Sequence, residues 1–248
     1  MKYFKVVILV LIFLAIVGNS ASAQTLPKIT LGVEDGKDAK DFSVTLQILL
    51  LLTILTLAPS IIIMLTSFIR IIVIFSFMRH AIGTHQMPPN QLLVGLAIIL
   101  TAFIMAPTIT KVNETALQPY LNDEITQKEA YDIGIKPIRE FMLKQVREKD
   151  LALFVSLSGI PKPDSPADLP TYLIIPGFVI SELRIAFQIS FIIFIPFLII
   201  DMVVASVLMS MGMLMLPPIM VSLPFKILLF VLVDGWYLII KSVVSSFH

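Results

Sequence analysis

The stretch "FLIIDMVVASVLMSMGMLMLPP", residues 197–218, carries a single charge, four methionines at every second position and a closing Pro-Pro. On a helix, positions two apart point about 200° away from each other, so Met209, Met211, Met213 and Met215 share no helical face. An extended or looped backbone would align them, and Gly212 together with Pro217-Pro218 favours such a break. The stretch therefore reads as the end of one apolar helix, a loop, and the start of another. Three uses of the sulfurs compete. Methionine fills irregular gaps in packed cores. Soft thioethers bind Cu(I). Several copies of the loop lining a pore would make a deformable apolar constriction that gates by excluding water.

Working outward, the whole chain of 248 residues is 57% hydrophobic and 14% charged, with a mean hydropathy of +0.96. That is too apolar for an ordinary soluble domain and predicts a membrane protein, or part of a membrane-derived assembly. A net charge of +1 gives no global field toward polyanions, which sets nucleic-acid binding aside. The sequence has no Cys, so disulfides, thiolate metal sites and Cys nucleophiles are excluded.

Residues 1–23 read as a cleavable secretory signal. Lys2 and Lys5 precede the apolar run Val6 to Val17, and Ala21-Ser22-Ala23 offers small residues before Gln24. The alternative is a retained first transmembrane helix. Residues 24–43 then form an exported-side segment. Four further apolar stretches follow, roughly Val44 to Met64, Leu92 to Pro107, Ile185 to Leu208 and Phe225 to Ile240. They predict an all-α chain of two kinked hydrophobic hairpins, 44–110 and 185–248, around a helical insert at 111–184 with nine Lys/Arg and eleven Asp/Glu. No acidic residue lies between Asp41 and Glu114, yet Arg70 and Arg79 do. Short loops with Arg and no counter-charge face the cytoplasm, which puts the insert on the exported side of the membrane.

In the insert, Thr126 and Glu129 have capping-box spacing, and Pro137 suits the first turn of a helix reaching about Lys149. The run "SGIPKPDSPADLPTY" then rules out regular helix. Every apolar stretch carries or abuts a proline: Pro59, Pro107, Pro196, and Pro217, Pro218 and Pro224 before the last. The second stretch, about sixteen residues, is too short for a hydrocarbon core of about 30 Å. Asp201 is costly on an apolar helix unless it faces a partner or water. Together these features predict helices that pack chiefly on other protein.

His80 and His85 share a loop with no Asp, Glu or Cys nearby to complete a ligand set, and His248 ends the sequence. No nucleophilic triad, paired-carboxylate site or phosphate-cradling loop is present. We read the chain as non-enzymatic, with no cofactor. Glu182 with Arg184 could be an interfacial pair, and Lys226 and Asp234, eight apart, would share a helical face. Arg70, Arg79, Glu182, Arg184, Asp201, Lys226, Asp234 and Trp236 are the candidate subunit contacts.

The stretches "SFIRIIVIFSFMRHAIGTHQMPPNQ", "PGFVISELRIAFQISF", "FLIIDMVVASVLMSMGMLMLPP" and "PFKILLFVLVDGW" together resemble the FliP family of flagellar biosynthesis proteins, from Leu46 to Lys241 and in the same order. The resemblance implies a core subunit of the type III export gate. In that family five copies join FliQ and FliR in a conical helical assembly, largely above the membrane plane and above FlhA and FlhB, that conducts unfolded flagellar subunits outward. It further implies a methionine gasket. Here that gasket comprises Met213 and Met215, with Leu214 where relatives often carry Met, and Met209 and Met211 leading into it. Gly177 in place of Ala, Ser190 in place of Gly, and His80 and His85 in place of Gln depart from the family pattern. A copper or small-solute transporter and a purely structural scaffold remain the alternatives.

Overall fold

The computed structural model describes residues 39–84, 86–161, 165–213 and 215–247, with side chains from residue 46 onward. The expected signal peptide and most of the segment after it lie outside the described residues, as do His85, Leu214 and His248. The described chain is helical, with no strand among its residues.

The chain divides into two compact units at Thr53, within helix α1 (Ala39–Met64). The described part of the first unit is the opening half of that helix, whose Leu49, Leu51 and Leu52 are exposed. The second half, with Ile54, Leu55 and Ile62 exposed and Pro59 inside the helix, belongs to the second unit. Leu46–Met64 is long and apolar enough to cross a membrane.

The second unit is organised around α2 (Phe68–Ile82). Ile71, Ile74, Phe75, Met78, Ala81 and Ile82 are buried, a spacing of three and one that makes a single apolar stripe. Burying a side chain of this size stabilises by about 1.5–3 kcal/mol against water, and against lipid the contribution is mainly close packing. Gly83 ends the helix in the left-handed region (φ 87°), and its N–H donates to the His80 carbonyl at 3.0 Å.

Helix α3 (Asn90–Val112) packs on α2 and continues through a wide i+5 turn (Asn113–Leu117) into the short α4 (Gln118–Leu121). The sequence expectation of a short second stretch ending at Pro107 is corrected here. Pro107 lies inside α3, because proline deletes only its own N–H bond while the flanking helix hydrogen bonds persist. The uninterrupted apolar candidate runs Asn90–Leu121.

The capping box at Thr126 is formed as expected: its hydroxyl accepts from Glu129 N–H, and the Glu129 carboxylate accepts from Thr126 N–H at 2.8 Å. It starts α5 (Gln127–Gln145) ten residues before Pro137, which is interior and buried rather than in the first turn. Side-chain capping fixed the start, and proline was accommodated. Helix α6 (Glu148–Ser158) ends on left-handed Gly159, where the proline-rich run begins. Arg139 pins the far end of that run, donating to Ala167 O at 2.8 Å, Leu169 O at 2.6 Å and Thr171 Oγ1 at 2.5 Å.

Helix α7 (Thr171–Ser210) has 40 residues and contains Pro176 and Pro196. At 1.5 Å per residue it is about 60 Å long, twice a hydrocarbon core. It runs unbroken through residues 184 and 185, where the sequence suggested the insert meets the second hairpin. Its first turns pack on α5 and α6 around Met142, Leu173, Ile174 and Phe178, and its middle packs on α2. Helices α8 (Pro218–Leu232) and α9 (Gly235–Ser245) follow, bent 64° at their junction.

That bend corrects the reading of Lys226 and Asp234 as neighbours on one face. Asp234 adopts the left-handed conformation (φ 50°) and is exposed, while Lys226 is buried. A Cβ on Gly235 would lie 2.3 Å from the Phe230 ring, so the chain can only turn there over a residue without a side chain.

Candidate functional site: the pinned methionine hairpin

Helices α7 and α8 make the hairpin that the methionine run predicts. Helix α7 ends at Ser210, Gly212 takes φ 73°, and α8 starts at Pro218. Pro218 is tolerated there because the first helical N–H has no partner in any case. Met209 is 59% exposed, Met211 66%, Met213 43% and Met215 98%, so in the single chain these side chains are presented largely outward.

Behind the loop, Asp201 of α7 joins two groups of α8. Lys226 Nζ donates to Oδ2 at 2.6 Å, and Ser222 Oγ donates to Oδ1 at 2.6 Å. The costly carboxylate thus has its partners one turn apart on the next helix. Asp201 lies nine residues before the end of α7, and Ser222 and Lys226 lie four and eight residues after the start of α8, so the tie stands about 6–14 Å from the loop along the helices. Alongside the tie runs a wholly apolar groove of about 480 Å³, lined on α7 by residues from Ile199 to Leu208 and on α8 by Val221 and Phe225.

A second polar cluster holds the base of the unit. Arg70 and Glu182 are fully buried. Arg70 Nε donates to Glu182 Oε2 at 2.8 Å, and Nη2 donates to Oε1. Nη2 also reaches Gln145 Oε1 at 3.0 Å, and Nη1 donates to Ser246 O at 2.8 Å and Ser246 Oγ at 3.0 Å. The guanidinium lies 3.7 Å over the Phe247 ring, a cation–π contact in a desolvated site. One arginine therefore ties α2, the end of α5, α7 and the residues after α9.

Arg70 is accordingly not a loop charge without a counter-charge: its acid lies 112 residues away on α7. The pairing expected for Glu182 with Arg184 is also corrected. Two positions on a helix diverge by about 200°, so Glu182 faces the core and Arg184 is exposed. Arg79 Nη1 donates weakly to Pro88 O at 3.4 Å, and its buried Nε has no partner among the described residues. Trp236 packs edge-on against Phe75 and Phe230 with centroids 6.3 and 5.8 Å apart.

Sequence reasoning missed Ser222, Gln145, Ser246 and Phe247. Only Ser222 left a signal, standing four residues before Lys226 and so one turn away. It also missed Ser181, whose Oγ donates to Asp150 Oδ2 at 2.9 Å and accepts from Arg147 N–H at 3.0 Å, locking α6 to α7. Among the described residues no three His, Asp or Glu are grouped to hold a metal ion. His80 Nδ1 lies 2.6 Å from the Ser76 carbonyl.

Long apolar helices with exposed apolar faces, interrupted by tied hairpins, define an all-α membrane protein. The profile of the FliP family matches residues 51–243. The chain is 56% identical over 217 residues to the flagellar biosynthetic protein FliP of Bacillus subtilis, covering 88% of this chain and 98% of the relative. It is 49% identical over 241 residues to the protein of that name from Caulobacter vibrioides, covering 97% and 89%, and 48% identical over 225 residues to that of Aquifex aeolicus, covering 90% and 92%. The chain belongs to the FliP family.

Proposed function

We propose that this protein is a core channel subunit of the flagellar type III export gate. Five copies assemble with FliQ and FliR into the conduit for unfolded flagellar subunits, on the periplasmic side of the inner membrane above FlhA and FlhB. Residues 111–184 form the exported-side insert, and residues 185–248 form the gating hairpin. The protein makes and breaks no bonds. Its task is to stay closed until a substrate chain enters.

The observation that carries this reading is the exposed methionine tip on a hairpin held by Asp201, Ser222 and Lys226. Methionine side chains with three rotatable bonds repack around varied sequences. Copies of the tip, Met209, Met211, Met213, Leu214 and Met215, brought together around an axis would close it with apolar, water-excluding contacts. The other exposed or paired charges, Arg79, Arg184 and Asp234, serve as contacts between subunits.

The test is passive permeability of membranes carrying the assembled complex, with Met213 and Met215 intact or both changed to Ala. We expect a general leak of small ions with assembly preserved. Intact sealing would remove the gasket, and a change confined to copper flux would point to a soft-metal site instead.

A further inference from the structure

The buried residues of α8 form one narrow row. They are Ser222, Lys226 and Phe230, four apart and therefore one above another on a single face. Ser222 and Lys226 meet Asp201 of α7, and Phe230 meets Trp236. Ile219, Met220, Leu228 and Val231 on the other sides of the helix are exposed. A single row fixes where a helix lies but lets it roll about that row, and a roll of α8 swings the methionine tip.

A second support stands beside the row. The turn that follows α2 reaches α8 at Gly83, where an added Cβ would lie 3.4 Å from Leu223 Cδ1 and 3.9 Å from Lys226 Nζ. Leu223 stands about 60° around the helix from Lys226, so this contact is off the row and opposes the roll. Gly83 closes α2 with φ 87°. Ile71, Ile74 and Phe75 of that helix are buried to zero exposure, which anchors the support in the core.

Two other glycines share the left-handed conformation, Gly159 at φ 69° and Gly212 at φ 73°. Neither has an atom within 4 Å of its would-be Cβ. At those sites glycine serves the backbone alone, whereas at Gly83 it also lets the turn come close to the tie. The Lys226 ammonium thus joins three elements: α8 carries it, Asp201 of α7 accepts from it at 2.6 Å, and the turn after α2 packs against it.

We propose that the α2–α3 turn is a conformational stop that sets the angle of the methionine hairpin. While Gly83 lies against Leu223 and Lys226, α8 holds one setting; displacing the turn lets the tip swing. The stop stands on these contacts, and its control of a channel rests on the export-gate reading above. In that setting a movement of α2 or α3 is passed through the turn to the gasket. Met87, four residues past Gly83, is 72% exposed, so the turn is open to such a push.

The sequence has no Cys, so Leu208→Cys supplies a single reporter thiol, at a position 9% exposed on α7 in the groove shared with α8. The rate of maleimide labelling of the full chain in detergent reads how often the hairpin opens. Asparagine tolerates the left-handed region. Gly83→Asn therefore keeps the turn while its carboxamide must find room beside Leu223 and Lys226, and Gly159→Asn makes the same change with nothing near. In the Leu208→Cys background we expect Gly83→Asn to speed labelling at least about threefold and Gly159→Asn to leave it unchanged. Adding Leu223→Ala to Gly83→Asn withdraws the opposing atoms and should return the rate toward that of the reporter chain, which a merely misfolded turn would not do. Equal rates with and without Gly83→Asn, equal acceleration by Gly159→Asn, or no rescue by Leu223→Ala would overturn the stop. The gate itself is judged separately, by the ion leak of the Met213 and Met215 double variant. Where that variant leaks, complexes carrying Gly83→Asn should leak too, and a tight Gly83→Asn complex would overturn the control of the gate by the turn.

Discussion

Glu182 and Arg70 are buried to zero exposure and meet side-on through two hydrogen bonds, although 112 residues separate them in sequence. Because the remaining guanidinium hydrogens are taken by Gln145 and Ser246, the pair is fully satisfied, and its value lies in what happens when one member is lost. Glu182→Ala leaves a buried cation without an anion and should cost about 3–5 kcal/mol. Replacing both, as Arg70→Met with Glu182→Leu, should recover most of that loss. Thermal unfolding in detergent reads both values. A double variant no better than Glu182→Ala would show that the links to Gln145 and Ser246 dominate.

The tie behind the methionine loop should respond asymmetrically. The Lys226 side chain is 5% exposed and that of Asp201 25%. Asp201→Ala strands a buried ammonium, whereas Lys226→Ala leaves a partly solvated carboxylate that still accepts from Ser222. The aspartate variant should therefore be the less stable, and a double-mutant cycle should show a coupling of about 1–3 kcal/mol. Equal losses with no coupling would mean that apolar packing alone holds α7 against α8.

At the start of α5, acid should loosen one helix end without unfolding the unit. The Thr126 backbone N–H, and then its hydroxyl, hold the Glu129 carboxyl below the usual carboxylate range. A lowered folded-state value means that the cap contributes fully above the unfolded value and is lost as pH falls through the folded one. The protection of the Thr126, Glu129 and Ala130 amides, taken relative to their intrinsic exchange rates at each pH, should fall as the pH drops through the lowered value of Glu129, and Glu129→Gln should flatten that dependence. A flat profile in the unaltered protein would argue against a formed capping box.

These tests also mark how far the sequence could be read. The hairpin break at Gly212 and Pro217-Pro218, the Thr126 cap and the need of Asp201 for a partner were legible because each rests on local chemistry: backbone freedom, side-chain capping, the cost of a charge. Arg70 was misread as a loop charge because its partner comes from α7, and no local rule links residues 112 apart. Pro107 and Pro137 were taken as helix boundaries, yet apolar and capped flanking turns carried the helices past both. Placing Lys226 and Asp234 on one helical face assumed one continuous helix, and the bend that separates them brings the Phe230 ring over Gly235.

That ring makes the last prediction the sharpest. A methyl group on Gly235 would sit 2.3 Å from two Phe230 carbons, closer than any real contact, and it must displace a ring that also packs on Trp236 at 5.8 Å. Gly95, inside α3, has nothing within 4 Å of its would-be Cβ. Alanine in a helix interior is favoured over glycine by up to about 1 kcal/mol. Gly95→Ala should therefore raise the unfolding temperature, whereas Gly235→Ala should lower it by the equivalent of about 1–3 kcal/mol. Adding Phe230→Leu to Gly235→Ala removes the colliding ring, and stability should partly return. If Gly235→Ala alone proves neutral, the α8–α9 bend is soft, and the residues after α9 that reach Arg70 must be held by that arginine rather than by the bend.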